Sequence, residues 1–245
     1  MGFYEQISRY YDSIFPVEAA PLAFIEGSAG RPPKRLLDVA CGTGGYSAAL
    51  AGAGYSMVSV DLNEKMVGLA AQKASERGLD MEVLRCDMLK IAEAVPGSFQ
   101  CVFCIGNSLA HLRSVAEIGN ALLQMHSKLS AGGSLALQII NFDRILKYGI
   151  SRLPEITVGE TGLKFIRDYK MDTSSGKIHF DTALTIGKGE KSERYENSIE
   201  LLPVKSAELI GEIRKAGFGR VDAFGDFSRG VYSEDSFMLV LEAAV

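Results

Sequence analysis

Leu36-Leu37-Asp38-Val39-Ala40-Cys41-Gly42-Thr43-Gly44-Gly45 reads as a buried strand, an acid at its tip and a glycine turn, with a helical pattern following. Twenty-three residues after Asp38 a second apolar strand, from Ser56 to Val60, ends in another acid, Asp61. Two acids at successive strand tips around a glycine turn point to a doubly wound α/β site for a nucleoside-bearing ligand. Glycines let the backbone come close to the ligand, and a carboxylate can accept both ribose hydroxyl hydrogens.

The dinucleotide fingerprint Gly-x-Gly-x-x-Gly sets a pyrophosphate over a helix N-terminus. Here Ser47 stands where its third glycine belongs, and Asp38 would repel a pyrophosphate. A cationic ligand bearing an ammonium and a sulfonium suits this turn better. The run Asp38-Val-Ala-Cys-Gly42-Thr-Gly44 resembles the first motif, acid-x-x-x-Gly-x-Gly, of class I S-adenosylmethionine-dependent methyltransferases. Asp61 and a third strand ending Arg85-Cys86-Asp87-Met88 reinforce the resemblance.

From about residue 35 strands and helices alternate. Strands are expected at 35–40, 56–61, 81–85, 99–105 and 134–140, and helices at 44–53, 63–77 and 114–128. Asn63 is an N-cap candidate, Gly78 a helix stop, and Ala131-Gly132-Gly133 a turn into the fifth strand. After Phe142 the rhythm changes to an antiparallel meander at 163–171, 177–187 and 193–202, with turns at Thr173–Gly176 and Gly187–Glu190. A helix at 205–216 and strands near 219–226 and 235–242 complete the pattern. The expected fold is α/β: a Rossmann-like, seven-stranded, mostly parallel sheet with helices on both faces and an antiparallel β insertion as lid. Three parts follow: an N-terminal helical cap at 1–34, a methyltransferase core at 35–142 and 203–245, and the lid at 143–202. Two helical stretches broken around Pro16 would cap the cofactor site.

The resemblance implies S-adenosylmethionine as cofactor and assigns residues to it. Asp61 would accept the ribose hydroxyls, with Leu62 and Met66 flanking the adenosine. Asp87 would meet the adenine amino group and the Met88 N–H a ring nitrogen. Gly42, Gly44 and Ala40 would line the turn, with Ile105 and His111 beside it. Asp38 would orient the turn or reach the methionine ammonium through water. Tyr11, in Tyr10-Tyr11-Asp12-x-Ile14-Phe15, would cover the sulfonium or the methionine carboxylate.

Ile105-Gly106-Asn107-Ser108-Leu109-Ala110-His111-Leu112 lacks the proline pair by which adenine and glutamine-amide methyltransferases grip a planar nitrogen. It resembles glycine N-methyltransferase and its sarcosine-methylating relatives, as do Asn141-Phe142-Asp143 and, more weakly, Gly225-Asp226-Phe227. The resemblance implies a small-molecule acceptor, an amine nitrogen among the candidates, with Asn107 orienting it. One position departs. Where that family has a basic residue for the amino-acid carboxylate, this chain has Ile140, which leaves Arg144 or Arg167 as substitutes. Tyr169 or Tyr195 would serve the lid.

With 47% apolar residues the chain can build a full core, and a net charge of −4 without a basic run disfavours nucleic acid and anionic membranes as partners. No signal peptide or membrane span is expected, so the setting is read as cytoplasmic. The pattern holds no metal site. Cys101 and Cys104 lie an odd number of residues apart on one strand, which points them to opposite faces as core residues. Two other functions stay open: a non-catalytic S-adenosylmethionine-binding regulator, and a nicotinamide-dependent oxidoreductase. Oligomeric state is unreadable from the sequence.

Overall fold

In the computed structural model, residues 7–159, 161–187 and 192–245 are described. Seven strands form the main sheet: β1 (Arg35–Val39), β2 (Ser56–Asp61), β3 (Met81–Arg85), β4 (Phe99–Cys104), β5 (Leu129–Ile140), β10 (Arg220–Phe224) and β11 (Met238–Ala244). Their order is β10-β11-β5-β4-β1-β2-β3. The strands β1 to β5 run parallel, and β11 lies antiparallel between β5 and β10. The strand order reverses between β1 and β4, which opens a crevice at their carboxyl ends.

Central strands of such a sheet are covered on both faces and therefore read as continuous apolar runs. Leu36 joins one buried cluster, while its neighbours Leu37 and Val39 join the other. Cys101 and Cys104 divide the same way, so they face opposite layers as the strand period requires. One layer contains α2 (Ala19–Ala29), α3 (Gly45–Gly52) and α4 (Glu64–Glu76); the other contains α6 (Val115–His126) and α8 (Ser206–Lys215). Asn63 caps α4 by accepting the N–H groups of Lys65 and Met66, at 3.0 and 3.2 Å.

The insertion is a separate antiparallel sheet of β6 (Ile156–Val158), β7 (Leu163–Asp172), β8 (Lys177–Ile186) and β9 (Glu193–Leu201). Its inward face and the N-terminal segment share a third core of Ile7, Ile14, Leu163, Phe165 and Leu184. The N-terminal stretches take different places. The turn α1 (Tyr11–Ile14) lies against the glycine turn, whereas Phe24, Ile25 and Ala29 of α2 pack into the sheet.

Several boundaries differ from the sequence reading. Ala131-Gly132-Gly133 is an irregularity inside β5: Leu129 pairs with Phe99 and Ser134 with Cys101, so β5 carries excess residues there. Two short helices, α5 (Ile91–Ala94) and α7 (Phe142–Tyr148), were not expected. Asn141 starts α7 by accepting the Arg144 N–H, and Gly149 ends it in the left-handed region. The expected turn at Gly187–Glu190 falls largely outside the described residues.

Candidate active site

Two adjoining cavities, of about 490 and 430 Å³, open over the carboxyl ends of the central strands. The first runs from the tips of β1 and β2 to the end of β3. It is lined by Ala40, Gly42, Asp61, Leu62, Met66, Asp87 and Met88, so the sequence-named nucleoside residues converge on one space. The second is roofed by the insertion and takes in Asp38, Ile105, Asn107, Ile140 and Tyr169. Tyr11, Ala40, Gly106 and His111 line both, which marks where the two spaces meet.

Asp61 holds the glycine turn. Its Oδ2 accepts the Gly42 N–H at 2.9 Å and its Oδ1 accepts the Asn63 N–H at 2.8 Å. Each carboxylate oxygen keeps a second acceptor site for a hydroxyl. Burial raises the Asp61 pKa, while the backbone N–H groups act in the opposite direction. Gly42 sits at φ +56, and a Cβ there would lie 3.0 Å from the Tyr11 hydroxyl. Gly44, at φ +71, lets α3 approach α4, since its Cβ would meet Ala70 at 2.9 Å. Both glycines are therefore required by backbone conformation and by contact.

Asp38 is buried, and its Oδ2 accepts the Ser47 hydroxyl at 2.6 Å. Ser59 donates in turn to Ser47 at 2.8 Å, linking β1, α3 and β2. Ser47, read first as a missing glycine, is thus the partner of the first acid. Burial pushes the Asp38 carboxyl up to about 7, and Asp61 adds to the rise. Cys41 is held as a thiol: burial comes first, then the two acids, in raising its pKa.

Met66 lines the first cavity while remaining buried, and Leu62 is exposed at its rim. Asp87 accepts the Leu89 N–H at 3.0 Å, capping the short turn that carries Met88. Asn107 is left-handed at φ 71, and its Oδ1 accepts the Ile140 N–H at 3.0 Å. Ala40 is also left-handed, at φ 62, a conformation that costs a non-glycine residue energy and recurs at functional sites. The pKa of His111 is lowered by burial, which keeps its ring neutral.

An aromatic series closes the roof. Tyr11 lies 5.1 Å from Phe15, which meets Phe165 of β7 edge-on at 6.0 Å, both between ring centroids. Asp12 binds Thr43 and pairs with Lys73 at 2.9 Å, fastening this segment to the glycine turn. Of the two lid tyrosines, Tyr169 lines the second cavity, whereas Tyr195 packs with the third core. Of the two substitute arginines, Arg167 lines the cavity, whereas Arg144 stacks on Phe237 at 4.3 Å. Tyr46 and Gln138 also line it and carried no sequence signal.

A family described as "Methyltransferase domain" matches residues 36–133. The glycine/sarcosine/dimethylglycine N-methyltransferase of Actinopolyspora halophila is 28% identical over 96% of this chain, which spans 40% of that protein's length. The glycine/sarcosine N-methyltransferase of Parasynechococcus marenigrum is 26% identical over 98% of this chain and 82% of its own length. An S-adenosylmethionine-dependent methyltransferase from Clostridium acetobutylicum superposes with a TM-score of 0.82 at 15% identity, covering 100% of this chain and 99% of that one, a likeness of fold. The methyltransferase-domain match covers residues 36–133, and the sheet order and two-cavity site are similar to those of class I S-adenosylmethionine-dependent methyltransferases. Within that class it is similar to the glycine/sarcosine N-methyltransferases.

Proposed function

We propose that the chain transfers a methyl group from S-adenosylmethionine to a small-molecule acceptor, at an amine nitrogen. The observation that carries this reading is the pair of cavities meeting at Tyr11, Ala40, Gly106 and His111, with the nucleoside residues on one side and Asn107 on the other.

The site's residues fit the cofactor. Asp61 retains acceptor capacity for two ribose hydroxyls, and the turn at Gly42 brings backbone within reach. Leu62, Met66, Asp87 and Met88 border the space suited to the adenine, and Asp38 offers a buried carboxyl to an ammonium. When bound, S-adenosylmethionine supplies a methyl group already activated on a sulfonium. The protein's task is then alignment and exclusion of water. The Tyr11 ring suits a cation at the junction, and the neutral His111 adds no repelling charge there. The Asn107 oxygen has one lone pair beyond its bond to Ile140, enough to accept an amine N–H and aim the nitrogen lone pair. Asn107 would thereby hold the acceptor nitrogen with its lone pair facing the methyl group that the bound cofactor would supply.

The four unpaired cysteines suit a reducing, cytoplasmic setting. The test is incubation with S-adenosylmethionine and a panel of small amines, following S-adenosylhomocysteine and methylated amine by mass spectrometry. Product that disappears in Asn107→Ala, with cofactor binding retained, is the expected result. A second reading, a cofactor-binding regulator without turnover, is favoured by Ile140 in place of a basic residue. Tight binding with no product from any amine in the panel would select it.

A further inference from the structure

The second cavity is lined by two side-chain amides whose orientation the backbone fixes. Gln138, near the end of β5, accepts the Gly106 N–H on its Oε1 at 2.7 Å. Asn107 accepts the Ile140 N–H on its Oδ1 at 3.0 Å. A backbone N–H must meet the oxygen of an amide, so both side chains turn their oxygens to the main chain and their NH2 groups away from it. The Asn107 N–H also donates to the Gln138 carbonyl at 3.3 Å, which locks the two residues side by side.

Both side chains are half-buried and line the cavity. Among the described residues, neither NH2 group donates to a protein acceptor. The buried polar atoms left without partners lie elsewhere, on His126, Arg167, Tyr169 and Asn197. The NH2 groups of Gln138 and Asn107 are therefore open to the cavity rather than sealed behind its wall. An amine nitrogen cannot serve them, because its lone pair is committed to the methyl carbon. These donors call for a second atom of the acceptor molecule, one that accepts hydrogen bonds.

Ile140 decides the charge of that atom. It stands two residues beyond Gln138, on the same face of β5, and both line the cavity. Neutral amide donors beside an apolar side chain do not offset a full negative charge, so a carboxylate here would lose its hydration without compensation. The acids Asp12, Glu18 and Asp38 line the same space, against Arg167 as its one cation among the described residues. Arg167 lies on the insertion and spends its Nη2 on the Pro154 carbonyl at 2.7 Å.

We propose that Gln138 is a specificity-determining residue, whose NH2 group donates to an uncharged oxygen, a hydroxyl or carbonyl, close to the amine of the methyl acceptor. The proposal rests on the methyltransferase reading above and names the chemical class of its acceptor, a neutral oxygen-bearing amine in place of an amino acid. Asn107 takes the amine N–H, Gln138 gives the oxygen a donor, and Ile140 disfavours a charged group beside them. Leu153, Ile156 and Phe180 line the rest of the space and suit an apolar body on the acceptor.

The test is calorimetry on the full chain at saturating S-adenosylhomocysteine, with probes of matched size. They are phenylglycinol; α-ethylbenzylamine, in which a methyl group replaces the hydroxyl; and phenylglycine, in which a carboxylate replaces the hydroxymethyl group. Phenylglycinol should bind about five-fold more tightly than α-ethylbenzylamine, and phenylglycine more weakly than phenylglycinol. Gln138→Met keeps the side-chain length without its donors, and should bind phenylglycinol and α-ethylbenzylamine equally. A Gln138 that only holds Gly106 in place would weaken both probes alike in the variant; an intact preference there would overturn the proposal. A wild type that binds these two probes equally, binds phenylglycine most tightly, or binds none of the three would also overturn it, whether or not the variant folds. Failure of the wild type to bind S-adenosylhomocysteine would instead remove the methyltransferase reading, and the assignment of Gln138 with it.

Discussion

Asp61 and Gly42 are joined across the tips of neighbouring strands, the Asp61 carboxylate accepting the Gly42 backbone N–H at 2.9 Å. The acid expected to hold the cofactor therefore also fixes the turn on which the cofactor would rest. In Asp61→Asn the side chain must present an amide NH2 to either the Gly42 or the Asn63 N–H, so one acceptor is lost whichever way it turns. Stability should fall by about 1–3 kcal/mol, and S-adenosylhomocysteine should raise the melting temperature far less than in the wild type. Scanning calorimetry with and without ligand checks both; a variant that matches the wild type in each would contradict the dual role.

Gly42→Ala meets two obstacles, a left-handed backbone at φ +56 and the Tyr11 ring. The backbone alone should cost about 1 kcal/mol. Adding Tyr11→Ala should recover only the contact part, leaving the double variant less stable than Tyr11→Ala by that backbone amount. Chemical denaturation of the four proteins in this cycle measures it, and full recovery would show that the φ requirement is absent.

The Asp38 carboxyl gives a pH signature. Its folded pKa of about 7 lies above its ordinary value of 3.8. The folded chain thus holds the proton more tightly than the unfolded one. The stabilising contribution is complete below 3.8 and is lost as pH rises through about 7, a change of about 4 kcal/mol. Asp38→Asn should flatten this part of the stability profile and gain on the wild type as pH rises through the window. An ammonium near the carboxyl favours its ionised form, so wild-type affinity for S-adenosylhomocysteine should rise between about pH 5.5 and 7.5 more steeply than that of Asp38→Asn. The ligand's own titration is common to both proteins. Parallel slopes in the two would remove Asp38 from ammonium binding.

Phe15 connects Tyr11 to Phe165, and so connects the glycine turn to the insertion. Because Phe15 is 37% exposed, Phe15→Ala should cost little stability, about 1 kcal/mol. Amide exchange of the 7–15 segment should nevertheless accelerate, and ligand dissociation with it. Unchanged exchange would show that the segment is held by the Asp12 contacts alone.

What the sequence disclosed and what it concealed divide along physical lines. Asp38, Gly42, Gly44 and Asp61 stood out because a glycine turn between strand tips constrains residue type locally. Asn63 announced α4 in the same way. The irregularity at Ala131–Gly133 was hidden, since glycines mark turns and bulges alike and only pairing with β4 distinguishes them. Helix α7 was obscured by its length of 7 residues, too short for a clear period. Arg167 and Arg144 were indistinguishable from sequence, because which one faces the chamber depends on how a distant sheet docks. Tyr46 and Gln138 belong with them: their neighbours come from across the fold.

The most direct test of the central claim is calorimetric titration of the wild type and Asp61→Ala with S-adenosylmethionine. The account predicts saturable binding by the wild type that is lost in the variant while the fold is retained. A wild type that does not bind, or a variant that binds equally well, would contradict it.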